Sequence, residues 1–268
     1  MDEHALECYK KAGKVAARVK EFARGKLKEG VNLLELAEAV EEKIMKEGAG
    51  LAFPLNISLN EIAAHYTPDF NETTELKHGD VVKVDIGVHV DGYIADTAFT
   101  VCIGKNEVGE KLIKVANETL KEFLKVVEVG KSVAELSSLV EESITKEGFN
   151  PIRNLAGHGL ERYVAHAEPT IPNGKVNSTV KLAPCVIAME VFVTTGVGWV
   201  KESYPPLIFS LIEPKPVRLK ESKLVLNAIQ QEYKTLPFSK RWVAKKVGPL
   251  KVNMVLNELL ARGAIRDY

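Results

Sequence analysis

The chain has 268 residues, enough to bury a substantial core in one large domain or two smaller ones. At 46% hydrophobic and 27% charged residues it has the make-up of a globular protein in water, and no apolar run reaches the length of a bilayer-spanning helix. Net charge is zero but unevenly spread: residues 214–268 carry 12 Lys and Arg against 4 Asp and Glu, a net of +8, so residues 1–213 carry −8. A basic segment on an acidic body reads either as a solvated helical face or as a contact for RNA or another polyanion. Three scattered cysteines, Cys8, Cys102 and Cys185, lack zinc-finger spacing and fit reduced thiols in a cytosol. The polar, acidic start Met1-Asp-Glu-His is no secretory signal.

In chain order, apolar periodicity predicts an amphipathic helix over about 4–27 and a second over 33–47. A strand hairpin follows over 80–102, then a helix over about 108–127. The next segment repeats an earlier one. Gly30 to Gly48 and Gly130 to Gly148 share Gly, Glu-Leu, Val-Glu-Glu, Ile and Lys-Glu-Gly at a constant offset of 100. Each copy reads as a helix closed by glycine, and Ser132 with Glu135 forms a capping box in the second. Downstream each copy reaches an Ala-His pair, Ala64-His65 and Ala165-His166, and then an apolar strand carrying an acid, around Asp85 and around Glu190. Two copies predict two related halves about a pseudo-twofold axis with a site between them. Strands are expected over 186–195 and 200–211, with Pro205-Pro206 at an edge or break. Beyond Pro214 short helices are expected at about 221–234, 239–246 and 251–262, with Gly263 as a stop, so the chain divides into 1–213 and a helical subdomain 214–268.

The hairpin carries the chemistry. Asp91-Gly92 is a two-residue turn signal, and with it as the loop Val90 faces Tyr93, Gly87 faces Asp96 and Asp85 faces Ala98. Asp85 and Asp96 then project from one face as diagonal neighbours. Two anions that close repel unless a cation lies between them, so the pair reads either as a metal clamp or as a solvated hairpin face. An aspartic-protease signature is a weaker reading still, because Asp85-Ile86-Gly87 lacks the hydroxyl residue and occurs once. Further candidates are His158 in Gly157-His158-Gly159, Glu190, His65 and His166. One imidazole among carboxylates suits Mn, Fe(II), Co or Zn without choosing between them, and a carboxylate-bridged pair of such ions does hydrolytic chemistry.

The ordered series Phe53-Pro54, Asn60-Glu-Ile-Ala-Ala-His65-Tyr-Thr-Pro68, Asp85, Asp96, Gly157-His158, His166 and Glu190 resembles methionine aminopeptidase. Residues 231–242, Gln-Glu-Tyr-Lys-Thr-Leu-Pro-Phe-Ser-Lys-Arg-Trp, are similar to the helical, winged-helix-like insertion of the type 2 subfamily, in its short archaeal form. The resemblance implies an α+β "pita-bread" fold and removal of the initiator methionine from nascent proteins in the cytoplasm. It also implies a monomer, with two divalent ions and a bridging hydroxide. By the same resemblance Asp85, Asp96, His158 and Glu190 are metal ligands, Glu190 also being the base. His65 and His166 contact the substrate near the scissile amide, and Phe53 walls the methionine pocket.

The match has gaps. The family's fifth ligand, a glutamate on a closing strand after the insertion, has no counterpart before Tyr268, and the strand around Glu190 lacks the usual Gly-Asp turn and following Pro. On that reading a chain ending at Tyr268 would bind its second metal weakly and be less active. The competing reading is a non-catalytic relative of the same fold that binds RNA or the ribosome through the basic segment. A proline-specific aminopeptidase is disfavoured by the type 2 insertion.

Overall fold

The computed structural model describes residues 1–203 and 205–268; Tyr204, inside the predicted strand 200–211, lies outside the described residues. The molecule opens with α1 (Glu3–Lys26) and α2 (Leu33–Lys46), then short β1 (Gly50–Leu51) and β2 (Asn56–Leu59), and the long hairpin β3 (Val81–Val90) and β4 (Tyr93–Cys102). The second half repeats the plan with α3 (Glu107–Val126), α4 (Val133–Lys146), β5 (Asn150–Pro151), β6 (Ala156–Glu161), β7 (Val164–Pro172), β8 (Val186–Ala188) and β9 (Val193–Thr194). The last part holds β10 (Ile208–Leu211), α5 (Lys220–Ala228), β11 (Phe238–Ser239), α6 (Lys240–Val247), α7 (Pro249–Ala261) and β12 (Ile265–Asp267).

The offset-100 repeat is structural. Asn32 and Ser132 cap α2 and α4, and Ser132 and Glu135 complete the capping box. Gly30 and Gly130 both hold positive φ, and their N–H groups donate to Leu76 and Leu182 at 2.8 Å. Each helix pair covers a sheet: β1, β2 and β4 pair with β3 in the first lobe, and β7 and β8 flank β6 in the second. The first lobe's core packs Val15, Val19, Leu36, Val40 and Ile44 onto Ile57, Val82, Val84 and Ile86. The second packs Phe123, Leu136, Val140 and Ile144 onto Ile171. A smaller cluster of Ala52, Phe53, Ile94, Leu160, Ala165, Ala188 and Leu236 lies along the seam between the lobes.

The hairpin has the register expected of it, Val90 opposite Tyr93, Gly87 opposite Asp96 and Asp85 opposite Ala98. Asp91 and Gly92, at φ 50 and 84, make the left-handed turn that joins tightly twisted strands. Two expectations need correction. The predicted strands 186–195 and 200–211 shrink to β8, β9 and β10. Glu190 therefore lies in a break between β8 and β9. There the side chain of Asn173 replaces ladder bonds, its Nδ2 donating to Glu190 O at 2.8 Å and its Oδ1 accepting from Phe192 N at 2.7 Å. Pro205 and Pro206 likewise remove donors ahead of β10. The helix expected over 221–234 stops being α-helical at Ala228 and closes with a wider π turn, Ile229–Tyr233, ended by Lys234 at φ 56. Tyr233 there stacks on Phe238 and lies against Trp242.

A buried polar network ties the last part to the first lobe. Glu41 of α2, 4% exposed, receives Arg241 of α6 on both oxygens, Trp242 Nε1 at 3.0 Å and the backbone N–H of Leu55 at 3.0 Å. Arg241 also donates to Thr67 Oγ1 at 3.2 Å, and Thr67 donates to Leu55 O at 2.8 Å.

Candidate metal centre and cleft

Strand alternation puts Asp85 and Asp96 on one face of the hairpin as diagonal neighbours, close enough for the charge of Asp85 to raise the Asp96 carboxyl. From the other lobe, β6 brings His158 and the β8–β9 break brings Glu190. His158 Nε2 lies 3.3 Å from Glu190 Oε1 and 3.7 Å from Asp96 Oδ2. Donor atoms of Asp96, His158 and Glu190 all fall within 4.8 Å of one another. Asp85 stands outside that group of three, diagonally across the hairpin from Asp96.

Burial and like charge dominate the electrostatics. The side chains of Asp96 and His158 are each 7% exposed. Desolvation, and then the charge of Glu190, pushes the Asp85 carboxyl up to about 7. Asp96 is also driven well above the ordinary carboxylate range, by burial first and then by Asp85 and Glu190. Burial pulls His158 down, but its hydrogen bond and charge contact with Glu190 outweigh that and leave it raised. Among the described residues, no Lys or Arg pairs with these three carboxylates.

The residues fit a divalent cation. His158 Nδ1 lies 3.1 Å from Gly159 O, which can only accept, so Nδ1 keeps its hydrogen, and Nε2, which gives its hydrogen to Glu190, is the nitrogen that can release it and offer a lone pair to a cation. Among the described residues Asp85 Oδ1 is buried with no partner. An orphan carboxylate oxygen among crowded anions is the pattern that a bound cation relieves.

The predicted histidines gather at the mouth. His166 of β7 lies edge-on to His158, ring centroids 4.2 Å apart, and His65 stacks on His166 at 5.9 Å. His65 sits on a turn at φ 59. Desolvation, then His158 and His65, lowers His166 to about 3, and burial also lowers His65. Phe53 lies on the same face of the hairpin as the two aspartates, packed over Gly87, the residue opposite Asp96, so closely that a Cβ there would lie 2.4 Å from its ring.

Three participants escaped sequence reasoning. Tyr268 stacks on His166 at 5.1 Å and reaches His166 Nδ1 with its hydroxyl at 2.9 Å. Asn56 lies opposite Asp85 in the β2–β3 pair, and Asn173 holds the Glu190 backbone. Only Asn56 left a trace, as a polar residue between Leu55 and Ile57 in an apolar strand.

Comparison with known proteins agrees with this geometry. Residues 7–225 match the model of metallopeptidase family M24. Methionine aminopeptidase of Pyrococcus abyssi is 46% identical over 96% of this chain and 87% of its own length. That of Archaeoglobus fulgidus is 44% identical over 100% of this chain and 90% of its own. The crystal structure of methionine aminopeptidase from Thermotoga maritima superposes with a TM-score of 0.70 at 29% identity, covering 76% of this chain and 85% of that one. The paired lobes are the pita-bread fold, and the chain belongs to metallopeptidase family M24, among the methionine aminopeptidases.

Proposed function

We infer that the chain is a metalloaminopeptidase that removes the N-terminal methionine from nascent proteins. The observation that carries this is the convergence of three carboxylates and an oriented imidazole, from both lobes, under a histidine-lined mouth. Asp85, Asp96, His158 and Glu190 are proposed as the residues that hold two divalent ions, with Co, Mn, Fe(II) and Zn all compatible with this donor set. When bound, such ions bring the ionisation of water near neutral pH and polarise a carbonyl.

The chain's own groups do the remaining work in this reading. Glu190, with its side chain 28% exposed, is proposed to take and return a proton. His166, lowered to about 3, is neutral at physiological pH. Burial, then the acids, raises the Tyr268 phenol, so it keeps its hydrogen. If it donates to Nδ1 of His166, Nε2–H is left free to donate to a substrate oxygen as charge develops there. His65 is proposed to contact the leaving nitrogen or the terminal amine. Phe53 supplies an apolar wall suited to a flexible thioether.

Residues 214–268 are proposed as a subdomain whose basic charge contacts the ribosome, and the enzyme as a cytosolic monomer. Among the described residues no helix is long and apolar enough to cross a membrane. The test is a metal-supplemented assay of Met-Ala-Ser against X-Pro peptides, with Asp85→Ala as control. Rapid methionine release abolished by the substitution is expected; salt-sensitive RNA binding with no cleavage would overturn the reading.

A further inference from the structure

Asn56 is 5% exposed and stands directly opposite Asp85 across the β2–β3 ladder, on the same face of the sheet, which sets its side-chain amide beside that carboxylate. Its neighbours Leu55 and Ile57 face the first lobe's core, so alternation turns Asn56 toward the acids. Its own Oδ1 is buried without a partner among the described residues, like Oδ1 of Asp85. An amide left half-satisfied in an apolar strand costs stability that a valine would not. That cost points to a task at the carboxylate.

The backbone on either side of Asn56 is pinned. Leu55 donates its N–H to Glu41 Oε1 and receives Thr67 Oγ1 on its carbonyl, while Ile57 N donates to Tyr66 O at 2.7 Å. Glu41 and Thr67 are themselves both held by Arg241. The position of the amide is therefore set from helix α6, far along the chain.

Resting on the metal-site reading above, we propose that Asn56 is a positioning residue, holding the Asp85 carboxylate in the orientation that receives a divalent cation, and that the Glu41–Arg241 network holds Asn56 in place. A carboxylate turns freely about its last bond, and an N–H on one oxygen leaves the other directed at the ion. Outer-shell donors of this kind tune affinity without touching the ion.

The experiment is calorimetric titration of the full chain with Mn²⁺ for wild type, Asn56→Ala and Asn56→Asp, with Met-peptide kinetics at saturating metal. Loss of the donor in Asn56→Ala should weaken the Mn²⁺ Kd by about 10–100-fold with KM unchanged. Asn56→Asp keeps the shape but replaces a donor with an anion against Asp85, and should bind no better than Asn56→Ala. A packing role alone would lower Tm and leave Kd where it was, and tighter binding by Asn56→Asp would make the position a ligand; either result overturns the proposal. If Asn56→Ala fails to fold, the Kd of Asn56→Asp decides it, lower affinity supporting and unchanged affinity overturning. Wild type that binds no Mn²⁺ would overturn the metal-site reading itself, and this proposal with it.

Discussion

Two clusters of buried charge lie close together in this molecule and are built on opposite principles. Around Glu41, one carboxylate meets one guanidinium, an indole N–H and a backbone N–H, so the charges cancel and both acid oxygens are used. Around Asp96, among the described residues, three carboxylates crowd near the His158 imidazole, burial and then the charge of Asp85 raise Asp96, and a buried oxygen has no partner. The first arrangement balances its charge with protein atoms alone, although Arg241 Nε finds no partner among the described residues, while the second balances only with added positive charge. Burial of charge is common to both, and the unbalanced sum is what marks the functional one.

The comparison breaks most decisively at Asp96. Asp96→Asn should reduce divalent-cation affinity by more than the roughly 10–100-fold of an outer-shell change, read by calorimetry, while the metal-free chain stays folded. Glu41→Gln should do the reverse. It leaves Arg241 buried without its counter-charge, and should cost about 3–5 kcal/mol in denaturant unfolding. Thr67→Val, which deletes a hydroxyl shared by Arg241 and Leu55 O, should cost about 1–3 kcal/mol by the same measurement.

The subtlest test is pH dependence without metal. Asp85 is held up to about 7 against about 3.9 in an unfolded chain, so the native state binds this proton more tightly. Stability from this group is present below about pH 4, and is lost as pH rises to about 7. Asp85→Asn lacks that loss, so its Tm advantage over wild type in EDTA should be larger at about pH 8 than at about pH 5. A constant gap would mean that Asp85 is not the strained group it is taken to be.

What the sequence disclosed was local. Asp91-Gly92 dictates its turn within four residues, and the turn fixes every partner along β3 and β4, so the relation of Asp85 to Asp96 was readable. Capping at Ser132 is equally local. Glu41 was hidden because it stands beside Glu42 in a Val-Glu-Glu run in which one acid is buried and the next exposed. Only the docking of α6, some two hundred positions on, decides which. Its repeat counterpart Glu141 meets Arg153 and the Lys175 N–H instead. Asn56, Asn173 and Tyr268 act across long sequence separations, and periodicity has nothing to say about such meetings.

The four proposed cation-holding side chains are drawn evenly from the duplicated halves, two from the β3–β4 hairpin and two from the segments around β6 and β8. An ion there would act as a rivet through parts of the chain that synthesis makes at different times. By mass action, cation at about one hundred times its Kd would add about 2.7 kcal/mol to the folded state. Chelation would therefore loosen the join between the lobes before it disturbed either core, so an enzyme starved of metal would lose its grip between halves that each remain well packed.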